Sequence, residues 1–139
     1  MIRIVLADDQ SLLRAGLRSV LGAEEDLAVV GEASDGAQAA QMAKALDADV
    51  VLMDVQMPGV DGIEGVRRIA EADSEARVIM LTMFDLDEYV YGALRAGASG
   101  FLLKSAQPEE IVRAVRDVHQ GALLFSPTVT RPLVETYVR

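Results

Sequence analysis

Five residues far apart in this chain carry types suited to chemistry: the adjacent pair Asp8 and Asp9, then Asp54, Thr82 and Lys104. Each follows an apolar run. Ile2 to Ala7 precedes the acidic pair, Val50-Val51-Leu52-Met53 precedes Asp54, Val78 to Leu81 precedes Thr82, and Phe101-Leu102-Leu103 precedes Lys104. Short apolar runs bounded by turn formers read as strands buried on both faces, so each polar group sits where a strand leaves the core. A carboxylate in such a place is costly unless something pairs with it. Two carboxylates about 4 Å apart repel by on the order of 4 kcal/mol at an effective dielectric near 20. Three together raise one another's pKa unless a cation is present. A hard divalent ion with oxygen ligands and retained waters, Mg²⁺ above all, resolves the repulsion. Lys104 adds a positive charge and Thr82 a hydroxyl donor, so the set is built to receive a group with several negative oxygens, such as a phosphoryl group. Capping of the following helix explains any one strand-end aspartate, but not three of them with a lysine and a threonine opposite.

These residues meet only if the elements between them bring the strand ends together. Strands are expected at Ile2 to Ala7, Leu27 to Ala33, Val50 to Asp54, Val78 to Thr82 and Phe101 to Leu103, with a helix after each. Leu13, Leu17, Val20 and Leu21 mark the inner face of the first helix, and Ala39, Met42, Ala43 and Leu46 that of the second. Asp35 with Gln38, and Asp61 with Glu64, have capping-box spacing at the starts of the second and third helices. Ile63, Val66, Ile69 and Ala70 recur at helical period in the third. Asp85 and Glu88 open a fourth helix with the stripe Leu86, Tyr89, Val90, Ala93 and Leu94, closed by Gly97. Pro108 starts the fifth, with Ile111, Val112, Val115 and Val118 facing in and Gly121 stopping it. A sixth helix is expected from Phe125 to Arg139. Alternating strands and helices with short loops give an α/β fold with a doubly wound, five-stranded parallel sheet. Its common order is 2-1-3-4-5, and its ligand crevice lies at the carboxyl ends of strands 1 and 3. All five polar residues then share one edge of the sheet.

Composition narrows the classes. One domain is expected of 139 residues, 51% hydrophobic and 25% charged. The net charge of -9 argues against direct nucleic-acid binding and against a hold on anionic membranes. No apolar run approaches the roughly 20 residues that span a bilayer, and the first strand meets Asp8-Asp9 too early for a signal peptide. The absence of cysteine excludes disulfides and thiolate metal sites and fits a cytoplasmic protein. Neither a P-loop nor G-x-G-x-x-G follows the first strand, which disfavours a nucleotide-binding module.

Four blocks in order carry a family resemblance: Val5-Leu6-Ala7-Asp8-Asp9, Leu52-Met53-Asp54-Val55-Gln56-Met57-Pro58-Gly59-Val60-Asp61-Gly62, Val78-Ile79-Met80-Leu81-Thr82, and Gly97-Ala98-Ser99-Gly100-Phe101-Leu102-Leu103-Lys104. Over residues 1 to about 121 the chain resembles the flavodoxin-like receiver domain of a two-component response regulator. The resemblance implies that Asp54 accepts a phosphoryl group from a sensor histidine kinase. It implies that Asp9 binds Mg²⁺ directly, Asp8 through water and Gln56 through its backbone carbonyl, with Asp54 a further metal ligand. Thr82 and Lys104 would hold the phosphoryl oxygens, and Phe101 would be the switch aromatic whose rotamer follows Thr82. Phenylalanine has no hydroxyl, so such a switch rests on packing. The surface of helix 4, strand 5 and helix 5 would then change.

Leu81-Thr82-Met83-Phe84-Asp85 and Leu102-Leu103-Lys104-Ser105 are similar to the NarL/FixJ type, which regulates transcription. Residues 122–139, with Leu123-Leu124-Phe125-Ser126-Pro127, resemble the linker to its helix-turn-helix, a DNA-binding domain that lies outside these 139 residues. A homodimer is possible through helices 1 and 5 or helices 4 and 5. Met83 is larger than the alanine common there and is expected to crowd the phosphoryl pocket. A stand-alone receiver acting by protein contact is the alternative. A haloacid-dehalogenase-like phosphohydrolase would need a second aspartate where Gln56 stands, so no enzyme is expected beyond the chain's own phosphorylation and dephosphorylation.

Overall fold

In the structure, a computed structural model, residues 1–83 and 87–125 are described, with backbone alone for 87–91 and 124–125. The elements are β1 (Ile2–Ala7), α1 (Ser11–Gly22), β2 (Leu27–Ala33), α2 (Gly36–Ala45), β3 (Val50–Asp54), α3 (Gly62–Glu71), β4 (Arg77–Thr82), α4 (Asp87–Ala96), β5 (Gly100–Leu103), α5 (Pro108–His119) and β6 (Leu124–Phe125). All strand pairs are parallel, in the order β2-β1-β3-β4-β5-β6. The expected order 2-1-3-4-5 is therefore present, extended at one edge by a two-residue sixth strand. Phe125, where the sequence suggested a helix start, pairs with Phe101 in β6 instead. Two residues carry no readable period, and the bonding edge that β5 offers decides the outcome. The rest of the expected sixth helix, and Asp85 and Leu86 of the fourth, lie outside the described residues, as do the side chains of Glu88, Tyr89 and Val90.

The strands read as unbroken apolar runs because both faces are covered, yet the pleat still sorts them. Val5, Val51, Met53, Val78, Met80 and Phe101 enter the core on the side of α2, α3 and α4. Ile4, Leu6, Val50, Leu52, Ile79, Leu81 and Leu102 enter the other, beneath α1 and α5. The helix stripes supply the partners: Ala39, Ala43, Val66 and Ile69 on the first side, Leu17, Leu21, Ile111, Val112, Val115 and Val118 on the second. Ala70, expected with the α3 stripe, is exposed instead.

Local chemistry sets the helix starts. Asp35 and Asp61 accept from the amides of Gln38 and Glu64, at 2.8 and 2.9 Å, as their spacing predicts. The return half of each box differs. Gln38 Oε1 reaches the Ser34 amide at 3.2 Å, while Glu64 pairs forward with Arg67 and Arg68. Gly97 and Gly121 adopt φ of +110° and +106° just past their helices, the conformation that ends a helix without Cβ strain.

Candidate functional site

The parallel pairing that builds the sheet also aligns its polar ends. In register, Asp54 lies beside Leu81 and Thr82 beside Leu103, and the Lys104 amide donates to the Thr82 carbonyl at 2.7 Å. Across the switch, Ala7 lies beside Met53, so Asp8 leaves β1 next to the point where Asp54 ends β3. The carboxylates of Asp8, Asp9 and Asp54 each bring an oxygen within 4.8 Å of the others. Asp8, Asp54 and Thr82 are buried polar residues, whereas Asp9 is exposed.

Asp8 and Asp54 use their two oxygens in the same way. Asp8 Oδ1 accepts from the amide of Gln10 at 2.8 Å and Asp54 Oδ1 from that of Gln56 at 3.3 Å, the local turn an aspartate forms with the amide two residues on. Their Oδ2 atoms stand 2.9 and 3.0 Å from Lys104 Nζ. The ammonium thus lies between two carboxylates, with its side chain 9% exposed. Its approach to Asp8 is an ion pair without hydrogen-bond alignment, and Asp8 Oδ2 is a buried oxygen lacking an aligned donor.

The balance of charge acts in opposite senses on the charged forms of the two partners. Burial pushes the Asp54 carboxyl above the usual carboxylate range, and the Asp8 charge pushes the same way; Lys104 and the Gln56 amide pull back without cancelling this. Burial pulls the Lys104 ammonium down, but Asp8 and Asp54 outweigh it and hold its pKa above the ordinary value. One lysine is therefore shared between two buried acids, with Asp9 a third carboxylate close by. Hard oxygen donors, an unaligned buried oxygen and an exposed third carboxylate open to water fit a cation that keeps part of its hydration shell. Among the described residues, Asp8, Asp9 and Asp54 are the cluster of side chains that could hold such a cation.

Other expected site residues fall around this cluster. Gln56 is exposed in the loop after β3. Phe101 is fully buried against Met80, its neighbour in the sheet, so its ring already fills the core. Met83 is 66% exposed. Its side chain stands mostly in solvent just past the end of β4 at Thr82, rather than filling the pocket as its size suggested.

Two residues that periodicity does not flag shape the site. A Cβ on Gly62 would lie 2.0 Å from the Asp54 carbonyl oxygen, so only glycine lets α3 start against the back of the site. Arg14, in the first turn of α1, donates to the backbone carbonyl of Asp8. Gly62 could have been suspected from its place in the second block; nothing in the sequence singles out Arg14 from other helix-surface arginines.

Comparison with known proteins gives the same picture. Residues 4–116 match the response regulator receiver domain family. The chain is 44% identical over 137 residues to the Bacillus subtilis (strain 168) protein named "Uncharacterized transcriptional regulatory protein YxjL", covering 98% of this chain and 63% of that protein. It spans less than two-thirds of the length of several such relatives. The receiver domain of the putative response regulator NarL from Mycobacterium tuberculosis superposes with a TM-score of 0.83 at 41% identity, over 86% of this chain and 97% of that one. A LuxR-family two-component response regulator from Aurantimonas sp. SI85-9A1 does so with a TM-score of 0.89 at 35% identity, over 99% and 98%. No helix among the described residues is long and apolar enough to cross a membrane. The chain belongs to the response regulator receiver domain family, among regulators of the NarL/LuxR type.

Proposed function

We propose that this chain is the phosphorylation switch of a transcription regulator, with Asp54 as the acceptor. The observation that carries the reading is the delivery of the Asp8 and Asp54 Oδ2 atoms to one lysine at 2.9 and 3.0 Å, with Asp9 beside them. The donor is a phosphohistidine of a sensor kinase. An Asp54 oxygen attacks phosphorus in line, the P–N bond breaks with its electron pair staying on the imidazole, and a P–O bond forms. Asp8, Asp9, Asp54 and the Gln56 carbonyl would hold Mg²⁺, which would supply charge neutralisation when bound. Lys104 exchanges its carboxylate partners for phosphoryl oxygens, and the Thr82 hydroxyl donates to another. Phe101, already enclosed, answers by repacking, and the surface of α4, β5 and α5 changes with it. Phosphorylation biases a two-state equilibrium of that surface.

The output we assign is DNA binding by a helix-turn-helix domain beyond residues 122–139, with residues 1–121 as the receiver unit. A homodimer is the assembly through which the changed surface would act. A histidine kinase that draws on ATP places the chemistry in the cytoplasm. The test is incubation with a small acyl phosphate and Mg²⁺, followed by intact-mass measurement. One phosphoryl group per chain is expected, and borohydride reduction should convert position 54 to homoserine. Asp54→Asn should take up none; stoichiometric labelling of that variant at another residue would overturn the assignment.

A further inference from the structure

Arg14 stands in the first turn of α1, where the helix dipole favours acids and where this helix has none. Its position is unfavourable for the helix alone, so its tertiary contacts must account for it. The guanidinium Nη1 donates to the Asp8 backbone carbonyl, and Nε donates to Glu32 Oε1 on β2 at 3.1 Å. Arg18, one turn on, pairs with the other Glu32 oxygen. Arg14 and Glu32 are both mostly covered, with side chains 20% and 19% exposed. The Arg14 amide donates to the Gln10 carbonyl at 3.1 Å, and the Asp8 amide donates to Ala33 on β2 at 3.0 Å. The Asp8 end of the turn is therefore held by the Arg14 side chain, itself anchored to the neighbouring strand, while the Gln10 end is held by the first backbone bond of α1.

We propose that Arg14 is a positioning residue for the metal-binding acids. It touches no carboxylate of the cluster; it fixes the backbone from which Asp8 and Asp9 project, and Glu32 fixes it in turn. The inference rests on the reading of Asp8, Asp9 and Asp54 as a Mg²⁺ site. Groups that orient ligands in this way change metal affinity by roughly 10- to 100-fold when removed. Simple electrostatics predicts the opposite sign here, because deleting a cation beside three acids should tighten cation binding.

The test is a Mg²⁺ titration of the folded, ¹⁵N-labelled chain, followed by amide shifts, with hydrogen exchange at Asp9 and Gln10 measured without metal. Arg14→Ala should bind Mg²⁺ about tenfold more weakly and exchange those two amides faster than the unaltered chain. Glu32→Gln should weaken binding in the same direction, and the double variant should be no weaker than Arg14→Ala. Arg67→Ala, which removes a cation from the exposed face of α3, serves as the control for charge and should stay within about twofold. Equal or tighter Mg²⁺ binding by Arg14→Ala, with exchange at Asp9 and Gln10 unchanged, would overturn the proposal while leaving the metal site intact. Failure of the unaltered chain to bind Mg²⁺ would remove the site reading and this inference with it.

Discussion

The two ends of the sheet handle charge in opposite ways. At the amino end each of the principal charged groups has a direct structural partner. Arg3 donates from Nε and Nη2 to the Leu46 carbonyl at the end of α2, at 3.0 and 2.8 Å, and its amide donates to Asp49. Arg77 donates to the Val118 carbonyl near the end of α5 at 2.9 Å. Cations there meet the carbonyl ends of helices, where the dipole favours them. At the carboxyl end Asp8 and Asp54 share one lysine with Asp9 close by, and Asp8 Oδ2 lacks an aligned donor. Stability alone would favour the first arrangement. The imbalance at the second end favours the binding of a further cation.

The largest effect should come from removing the lysine that Asp8 and Asp54 share. Lys104→Met leaves Asp8 and Asp54 buried without it and should cost about 4 kcal/mol of metal-free stability near neutral pH, measured by urea unfolding. Mg²⁺ should bind that variant more tightly, since it no longer competes with the ammonium. A loss below about 1 kcal/mol would mean that the acids are better solvated than their burial implies. Next comes Gly62→Ala, which forces a methyl against the Asp54 carbonyl and should cost about 3 kcal/mol. At the amino end, Arg77→Ala should cost only about 1 kcal/mol and leave Mg²⁺ affinity unchanged. A change in metal binding there would break the distinction between the two ends.

Most of the fold was legible because buried parallel strands are apolar runs with polar ends, and because Asp35, Asp61, Pro108, Gly97 and Gly121 mark where helices begin and stop. The candidate site was legible for the same reason: Asp54 and Lys104 are conspicuous only because the residues before them are apolar. What escaped depends on contacts that sequence spacing does not encode. Phe125 joins the sheet because β5 has a free edge, not because two residues have a period. Arg14 resembles a solvent-facing helix residue until β2 brings Glu32 beneath it. Met83 lies in solvent although its size suggested a filled pocket.

The smallest effect separates the ends by pH. Because the folded chain holds the Asp54 pKa above its unfolded value, its contribution is fully present below the unfolded pKa and is lost as pH rises through the folded one. Metal-free stability should therefore decline across that window in urea titrations, and Asp54→Asn should remove that part of the slope.

The carboxyl end carries more negative charge than Lys104 balances. Unfolding free energy measured in EDTA and again with free Mg²⁺ about tenfold above its Kd tests this most directly. The unaltered chain should gain about 1.4 kcal/mol from the ion, while Asp54→Asn should start more stable in EDTA and gain less. An unaltered chain that gains nothing from Mg²⁺, and that loses stability when Asp54 becomes Asn, would contradict the account.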